Sequence, residues 1–167
     1  INHLVQQPDD ITCGPTSVCM LLYFYNKNIA VEEIKKVTNT VWYNWNGRDI
    51  GMTAPAYIVS SLKYFGFNSK QKYGNLSNLK HQISLGTPCI LLARSGEWNW
   101  HYILVCGYNE NYRANIIEKN SDNTLSINYF SPQQLKVSLK NDFYDPNFSI
   151  SGLDIKQGDT VWLTSVE

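Results

Sequence analysis

A cysteine near the amino end of the chain has the position of a chemical nucleophile. Cys13 lies in the stretch Thr-Cys-Gly-Pro-Thr and comes just before an apolar, helix-like run over residues 18–25. A cysteine at a helix N-terminus faces unpaired backbone N–H groups and the positive end of the helix dipole, which both favour the reactive thiolate. We interpret Cys13 as a nucleophile. The alternative is a buried core thiol, because free cysteine is among the most buried residue types.

A glutamine lies six residues before this cysteine, at position 7. The side-chain amide of Gln7 is close enough in sequence to donate a hydrogen bond above the sulfur, where an oxyanion develops when a thiolate attacks a carbonyl group. Gly14 lets the backbone approach a substrate closely, and Pro15 suits a first helical turn. One short segment therefore offers both a nucleophile and an oxyanion donor.

The second catalytic candidate is a histidine that opens an apolar, strand-like run. His101 follows Trp-Asn-Trp and precedes Tyr-Ile-Leu-Val-Cys. An imidazole at the edge of a sheet can take the thiol proton and later protonate the leaving amine. His3 lies near the terminus and His81 on the surface of a predicted helix, so His101 is the base by elimination. The alternative is a core histidine whose ring is satisfied by neighbours.

A third group should hold the imidazole in its productive tautomer. Asn120 follows the next strand-like run after His101 and is placed to return beside it. Glu118 and Asp122 are near neighbours that can do the same work. The residues themselves leave these three alternatives open.

Length and charge exclude several classes of protein. The chain has 167 residues and a formal net charge of zero, so no basic face directs it to nucleic acid or to a membrane surface. Its longest apolar runs are far shorter than the roughly 20 residues of a membrane span. The first eight residues lack the features of a signal peptide, and the start at Ile1 suggests a processed or excised fragment. Localisation is therefore unknown from the sequence.

The chain has four cysteines, at positions 13, 19, 89 and 106. They form no Cys-x-x-Cys pair, and no histidine lies at zinc-finger spacing from them, so we expect no metal site. A domain of this size does not need disulfide staples. We therefore expect Cys19, Cys89 and Cys106 to be buried thiols.

Apolar spacing predicts helices in the first half of the chain and strands in the second half. The helices are predicted over residues 13–25, 31–37, 53–64 and 77–85, with Thr53 as the cap of the third and Gly66 as its stop. Strands are predicted over residues 67–73, 88–94, 101–108, 114–119, 124–130 and 160–166, and a further helix over residues 131–139. This order indicates a single α+β domain over residues 1–167, with helices over about 13–86 packed on an antiparallel sheet over about 88–167.

Residues 40–51 contain several aromatic side chains and follow neither a helical nor a strand period. We predict a loop here. Trp42 and Trp45 from this loop, together with Trp100, are candidates for the walls of a substrate cleft. The alternative is a lid that Trp42 and Trp45 close over the core.

Four motifs occur in a fixed order along the chain: Gln7-x5-Cys-Gly-Pro-Thr-Ser, Gly51 before a helix, Leu85-Gly-Thr-Pro before a strand, and His101-Tyr-Ile-Leu-Val-Cys-Gly-Tyr. In this order they resemble the bacteriocin-processing, double-glycine-leader cysteine peptidases of the papain-like superfamily. The resemblance extends from Gln7 to about Phe130. It implies a papain-like fold with Cys13 as nucleophile and His101 as base, and with Gln7 beside the Cys13 backbone N–H in the oxyanion hole.

The chain departs from this family in the third catalytic member. Leader peptidases usually place Asp-Pro after the strand that follows the histidine, whereas this chain has Lys-Asn-Ser at residues 119–121. That segment is similar to the one in papain in which asparagine orients the histidine, so the resemblance favours Asn120. The only Asp-Pro, at residues 145–146, lies too late in the chain and predicts a turn.

The resemblance implies a peptide or protein substrate and, for true leader peptidases, an ABC-transporter partner. The segment after residue 131 and the tryptophan-rich stretch fit a stand-alone or effector-like relative better, although a domain cut from a larger exported or transporter protein stays open. Such relatives act as secreted toxins or amidases, and a toxin would bring an immunity protein as partner.

We expect a thiol hydrolase, a cysteine peptidase or amidase, that acts on peptide or amide bonds through an acyl-enzyme on Cys13 and needs no cofactor. The same acyl-enzyme can serve acyl transfer or deamidation of a target protein. A different class is a catalytically inactive relative that only binds peptide, motivated by the missing Asp-Pro and the aromatic stretch. A glycosidase using Asp9, Asp10 or Asp122 is disfavoured, because no pair of these carboxylates has a spacing that fixes both on one cleft.

Overall fold

The structure, a computed structural model, describes residues 5, 7–74, 76–94, 100–106, 114–119, 125–130 and 161–167. The described helices are α1 (Cys13–Phe24), α2 (Val31–Val37), α3 (Pro55–Tyr64) and α4 (Leu76–Ser84). The described strands are β1 (Val41–Trp45), β2 (Arg48–Met52), β3 (Ser69–Gly74), β4 (Cys89–Arg94), β5 (Trp100–Val105), β6 (Ala114–Lys119), β7 (Leu125–Phe130) and β8 (Val161–Val166). Helix α2 spans the predicted residues, and the predicted strands are confirmed within one or two residues where they are described.

Helix α1 lies at the centre of the described hydrophobic core. Its nine residues from Gly14 to Leu22 are all buried, and the helix ends where Asn26 takes a left-handed backbone conformation with φ of 60°. Such complete burial explains why the helix is apolar on every side rather than along one stripe. One cluster joins α1 to the side chains of α2, α3, β4 and β5: Ile34, Ile58, Leu62, Ile90, Leu92, Tyr102 and Leu104.

The main sheet has the strand order β3-β8-β4-β5, and the neighbours whose pairing is described are antiparallel. The last strand of the chain, β8, therefore lies between two strands that come much earlier in sequence. Along β4 and β5, Ile90, Leu92, Tyr102 and Leu104 alternate with other residues and face the helices. Strands β6 and β7 form a separate antiparallel pair. The predicted combination of helices with an antiparallel sheet is confirmed.

The prediction of a loop over residues 40–51 is wrong. Strands β1 and β2 form a hairpin in which Trp42 pairs with Gly51 and Trp45 pairs with Arg48. Asn46 and Gly47 form its turn with φ of 51° and 78°, the signs that a type I′ turn requires. Trp42 and Trp45 are 59% and 57% exposed, so they do not close a lid over the core.

The predicted cap of α3 is also wrong. Ala54, not Thr53, is the N-cap residue, and Pro55 occupies the first turn. The hydroxyl of Thr53 instead forms a 2.6 Å hydrogen bond with the hydroxyl of Thr40. Gly66 ends the helix as predicted, with φ of 94°.

Two further predictions can be placed only in part. His81 is exposed on α4, as expected. The helix predicted over residues 131–139 lies outside the described residues. Among the helices of the described part of the chain, none is both long and apolar enough to span a membrane.

Candidate active site

The segment before Cys13 folds into a tight turn around one aspartate. The Asp9 carboxylate accepts a 3.0 Å hydrogen bond from the Ile11 N–H, and the Asp9 carbonyl oxygen accepts a 3.4 Å hydrogen bond from the Thr12 hydroxyl. The side-chain amide of Gln7 donates to the same carbonyl oxygen. Asp9 thereby fixes both the glutamine and the two residues that lead into α1.

Helix α2 holds this turn from outside. Lys35 donates a 2.8 Å hydrogen bond from Nζ to Oδ2 of Asp9 and forms an ion pair with it. Partial burial opposes ionisation of Asp9, but the hydrogen bonds from Lys35, Thr12 and Ile11 and the charge of Lys35 outweigh it and lower the pKa of Asp9. The same ion pair raises the pKa of Lys35. Both groups are therefore charged at neutral pH.

Two glycines let the backbone pack closely around the cysteine. A Cβ atom on Gly51 would lie 2.0 Å from Cγ2 of Ile11, and a Cβ atom on Gly14 would lie 3.0 Å from Cβ and Oγ1 of Thr53. Strand β2 and the connection from β2 to α3 thus lie directly against residues 11–14. Larger side chains at these two positions would displace the segment that carries Cys13.

The Cys13 thiol lies at the first residue of α1, as predicted, and is partly buried. The backbone N–H groups of Tyr102, Gly14 and Cys13 itself favour the thiolate form and so lower the pKa of this thiol. Tyr102 lies near the start of β5, directly after His101. Nucleophile and base candidates are therefore brought to the same region of the fold.

The charge state of the thiol differs from the expectation. Burial raises the pKa of Cys13 above its ordinary value, and the Asp9 carboxylate raises it further. The N–H groups of Tyr102, Gly14 and Cys13 lower it, but not enough to compensate for desolvation. The helix N-terminus alone suggested a thiolate, whereas the folded protein holds a neutral thiol at neutral pH.

His101 is partly buried at the second position of β5, where it pairs with Ala93 of β4. Burial lowers the pKa of its imidazole to about 4, so the ring is neutral near pH 7. A neutral ring can accept a proton. Among the described residues, no hydrogen bond joins this ring to the Cys13 thiol. Tyr102 and Leu104 face the helices, and they alternate along β5 with His101 and Ile103. The structure therefore places the two residues on neighbouring elements, α1 and β5, without a described hydrogen bond between their side chains.

A series of hydrogen-bonded hydroxyl groups lies next to the segment that carries the cysteine. Tyr102 donates a 2.9 Å hydrogen bond from its hydroxyl to the Thr53 carbonyl oxygen, and the Thr53 hydroxyl bonds that of Thr40. Thr40 in turn bonds the hydroxyl of Thr38 at 2.8 Å, and Thr38 donates to the Ile34 carbonyl oxygen at 2.9 Å. All three threonines are buried, so this series of hydrogen-bonded hydroxyl groups links α2, the segment before α3, and β5 on the side where Thr53 packs against Gly14.

The structure describes only some of the residues predicted as the third catalytic member and as cleft walls. Asn120 and Asp122 lie outside the described residues, and the side chain of Glu118 is not described. Trp100 begins β5 and is 52% exposed. Asn120, Trp42, Trp45 and Trp100 keep their roles as predictions.

Four residues that sequence reasoning missed contribute to the site: Asp9, Lys35, Thr53 and Tyr102. The stretch Asp-Asp before Ile-Thr-Cys carried a signal for an Asx turn, because aspartate commonly bonds the backbone N–H two residues on. Nothing in the sequence pairs Lys35 with Asp9, since 26 positions separate them. The same holds for Tyr102 and Thr53, which are 49 positions apart.

The other three cysteines are weaker candidates for the nucleophile. Cys19 and Cys89 are buried, as expected, and burial raises their pKa values to about 11 and about 12. Cys106 is only partly buried, which differs from the expectation. Within the described ranges, no group of three or more histidine, cysteine or acidic side chains could hold a metal ion.

Solved structures with the same fold are peptidase domains. The peptidase domain of Streptococcus ComA, a bifunctional ABC transporter in a quorum-sensing pathway, has a TM-score of 0.63 at 19% identity, with 98% of each chain covered. A double-glycine-motif protease from an AMS/PCAT transporter, solved with the leader peptide, has a TM-score of 0.59 at 17% identity over 99% of this chain and 91% of the other. A C39-like peptidase from Bacillus anthracis has a TM-score of 0.61 at 12% identity over 99% and 94%.

At these identities the likeness shows the fold alone, which is papain-like. None of the curated proteins matches the chain. A family model does match, over residues 1–149, which is most of the 167-residue chain. The chain belongs to the Peptidase_C39 like family.

Proposed function

We propose that the protein is a thiol hydrolase, a cysteine peptidase or amidase, that forms an acyl-enzyme on Cys13. The observation that carries this proposal is the position of Cys13 at the start of the buried helix α1, where backbone N–H groups, including that of Tyr102 next to His101 on β5, favour the thiolate. Membership of the family and the papain-like fold support a cysteine-peptidase type of function. The particular activity is our proposal.

In the proposed reaction, the sulfur attacks the carbonyl carbon of a peptide or amide bond while His101 takes the thiol proton. Transfer accompanies attack because burial keeps the resting thiol and the resting imidazole both neutral. The C–N bond then breaks, and His101 returns the proton to the leaving amine. Water hydrolyses the thioester, which releases a carboxylic acid and restores the thiol. Asn120 would orient the His101 ring, and the step needs no cofactor.

Gln7 is the proposed oxyanion donor. Its amide nitrogen carries two N–H groups, and the Asp9 carbonyl oxygen accepts only one of them. Among the described residues the second N–H has no hydrogen-bond partner, so it can donate to an oxyanion above Cys13, together with the backbone N–H of Cys13. The hydrogen bond to Asp9 thus orients the glutamine without consuming its donor capacity.

The proposed substrate is a peptide that lies along the aromatic hairpin. Opposite residues of two antiparallel strands point to the same face, so Trp42 shares a face with Gly51, which packs on Ile11. Trp45 lies three residues on and therefore points to the other face. We place Trp42 and Trp100 nearest the substrate and Trp45 farther away.

The partners of the solved neighbours suggest which peptides to try first. One neighbour is described with a leader peptide and as a double-glycine-motif protease, and another as part of an ABC transporter. We propose peptides with a Gly-Gly motif as first substrates. A transporter or an immunity protein is the corresponding partner proposal.

The test compares the wild type with Cys13→Ala and Cys13→Ser on a library of Gly-Gly peptides, with products identified by mass spectrometry. Both variants should fold normally and lose turnover. Retained cleavage by Cys13→Ala would exclude the nucleophile role. Product masses separate hydrolysis from deamidation and acyl transfer, because water and amine acceptors leave different products.

A second candidate function is peptide binding without turnover. It is favoured by one observation: within the described residues the Cys13 thiol and the His101 ring share no hydrogen bond. Calorimetry with the same library measures binding directly. Equal affinity for wild type and Cys13→Ala, with intact peptides at the end, would support this candidate over the hydrolase.

A further inference from the structure

Among the described residues before Cys13, Asp9 makes the most hydrogen bonds. Its carboxylate holds the Ile11 N–H and the Lys35 ammonium, and its carbonyl oxygen holds the Gln7 amide and the Thr12 hydroxyl. These contacts join the proposed oxyanion donor, the entrance to α1 and the outer helix α2. Removing Asp9 or Lys35 would therefore act on the site without touching a substrate.

We propose that the Asp9–Lys35 ion pair is a positioning device that sets the reactivity of the Cys13 thiol. Lys35 anchors the turn that holds Gln7 and, at the same time, neutralises a carboxylate whose charge reaches the sulfur. This inference rests on the proposed role of Cys13 as nucleophile.

The expected electrostatic effect of the ion pair on the thiol follows from the signs of the two charges. A negative charge near a thiol disfavours the thiolate, and a positive charge beside that carboxylate offsets it. The Asp9 charge acts on Cys13 in this way, and the ion pair with Lys35 spans 2.8 Å. The charge of Glu32 on α2 raises the pKa of Lys35, and on β5 Tyr102, which adjoins His101, interacts electrostatically with Cys13. Neither His101 nor Tyr102 carries a charge at neutral pH, so Asp9 is the charged side chain of the described residues that acts on Cys13.

Two single variants should therefore change thiol reactivity in opposite directions. Asp9→Asn removes the repelling charge and should lower the apparent pKa of Cys13, which speeds alkylation at a fixed pH below that pKa. Lys35→Met leaves Asp9 uncompensated and should slow it. We expect changes of about twofold to threefold each, because both groups are partly exposed and screened. The double variant should resemble Asp9→Asn, since Lys35 acts only through the carboxylate.

The experiment measures the rate of alkylation by iodoacetamide, a neutral reagent, from pH 6 to 10 in the 167-residue chain. A Cys106→Ser background removes the other partly buried thiol, and peptide mass spectrometry assigns the label to Cys13. Lys70→Met is the matched control. Lys70 lies on β3, at the sheet edge opposite β5, and forms a 2.9 Å ion pair with Glu167. This control should leave the profile unchanged.

A purely structural role for the pair predicts changes of the same sign in both variants, because each would loosen the same turn. Such a result, or two unchanged profiles, would overturn the proposal. The opposite shifts should also shrink when salt is raised to about 0.5 M, since charges near the surface are screened. Alkylation reports thiol reactivity without a substrate, so a protein that proves inactive on every peptide leaves this test intact.

Discussion

The hydroxyl of Tyr102 donates a 2.9 Å hydrogen bond to the carbonyl oxygen of Thr53, while the backbone N–H of Tyr102 favours the thiolate form of Cys13 and lowers the pKa of its thiol. One residue of β5 thus holds the segment that packs on Gly14 and also acts on the thiol of Cys13. The bond is buried, since Tyr102 is 5% exposed and Thr53 is 6% exposed. The sheet and the N-terminus of α1 are therefore fixed to each other at the site of the proposed chemistry.

Tyr102→Phe should test this relationship. The variant keeps the ring in the core but leaves the buried Thr53 carbonyl oxygen without this donor, which costs about 1 to 3 kcal/mol of the free energy of unfolding. Urea denaturation measures that loss. Tyr64→Phe is the control, because Tyr64 is 70% exposed and its hydroxyl should contribute little. Equal stability of the two variants would show that the buried hydrogen bond does not matter.

Gly51→Ala should disturb the cysteine without changing any catalytic group. The added Cβ would lie 2.0 Å from Cγ2 and 2.5 Å from Cβ of Ile11, so the turn before Cys13 must move. We expect a loss of about 1 to 3 kcal/mol in the free energy of unfolding and a clear change in the rate at which iodoacetamide labels Cys13.

Gly74→Ala is the matched control for this substitution. Its Cβ would meet Cδ1 of Leu163 at 2.6 Å, on the sheet edge that is remote from β5. It should lower stability while leaving the labelling of Cys13 unchanged. Identical labelling in both glycine variants would contradict a role of Gly51 in placing the cysteine segment.

The local elements of the fold could be predicted from the sequence, whereas the contacts between distant residues could not. Helix α1 and its cysteine were predictable, because a cap-like Thr-Cys-Gly-Pro stretch before an apolar run is a local signal. The strands at residues 89–94 and 100–105 were predictable for the same reason. The contacts of Tyr102 with Thr53 and of Lys35 with Asp9 join residues far apart in sequence, and no local pattern encodes them.

Two errors had different physical causes. The hairpin over residues 41–52 did carry a signal, Asn46-Gly47, and the aromatic composition of the stretch obscured it. The charge state of Cys13 depended instead on burial, which exceeds the effect of the helix N-terminus and is a property of the whole fold. The position of β8 between β3 and β4 is equally non-local.

Acid should destabilise the protein partly through His101. Burial lowers the pKa of this ring to about 4 in the folded state, against an ordinary value of 6.5. The unfolded chain therefore binds a proton more readily, so the contribution of His101 to stability is complete above pH 6.5 and is lost as the pH falls towards about 4. The full difference corresponds to at most about 3 kcal/mol.

The measurement is the free energy of unfolding of wild type and His101→Gln at pH 7, 6, 5 and 4. The difference between the two proteins should shift in favour of the variant as the pH falls, because glutamine does not titrate. His81→Gln is the control, since His81 is exposed on α4. Parallel curves for wild type and His101→Gln would mean that His101 is not buried as a neutral ring.

The two hairpin tryptophans should differ in their effect on substrate binding. Trp42 shares a face of the hairpin with Gly51, which contacts the segment before Cys13, whereas Trp45 points to the other face. Both side chains are more than half exposed, so removing either should cost little stability. Once a cleaved peptide is in hand, Trp42→Ala should raise KM by about tenfold, because a buried aromatic contact contributes more than about 1 kcal/mol. Trp45→Ala should change KM by less than about twofold, and the reverse order would place the peptide on the opposite face of the hairpin.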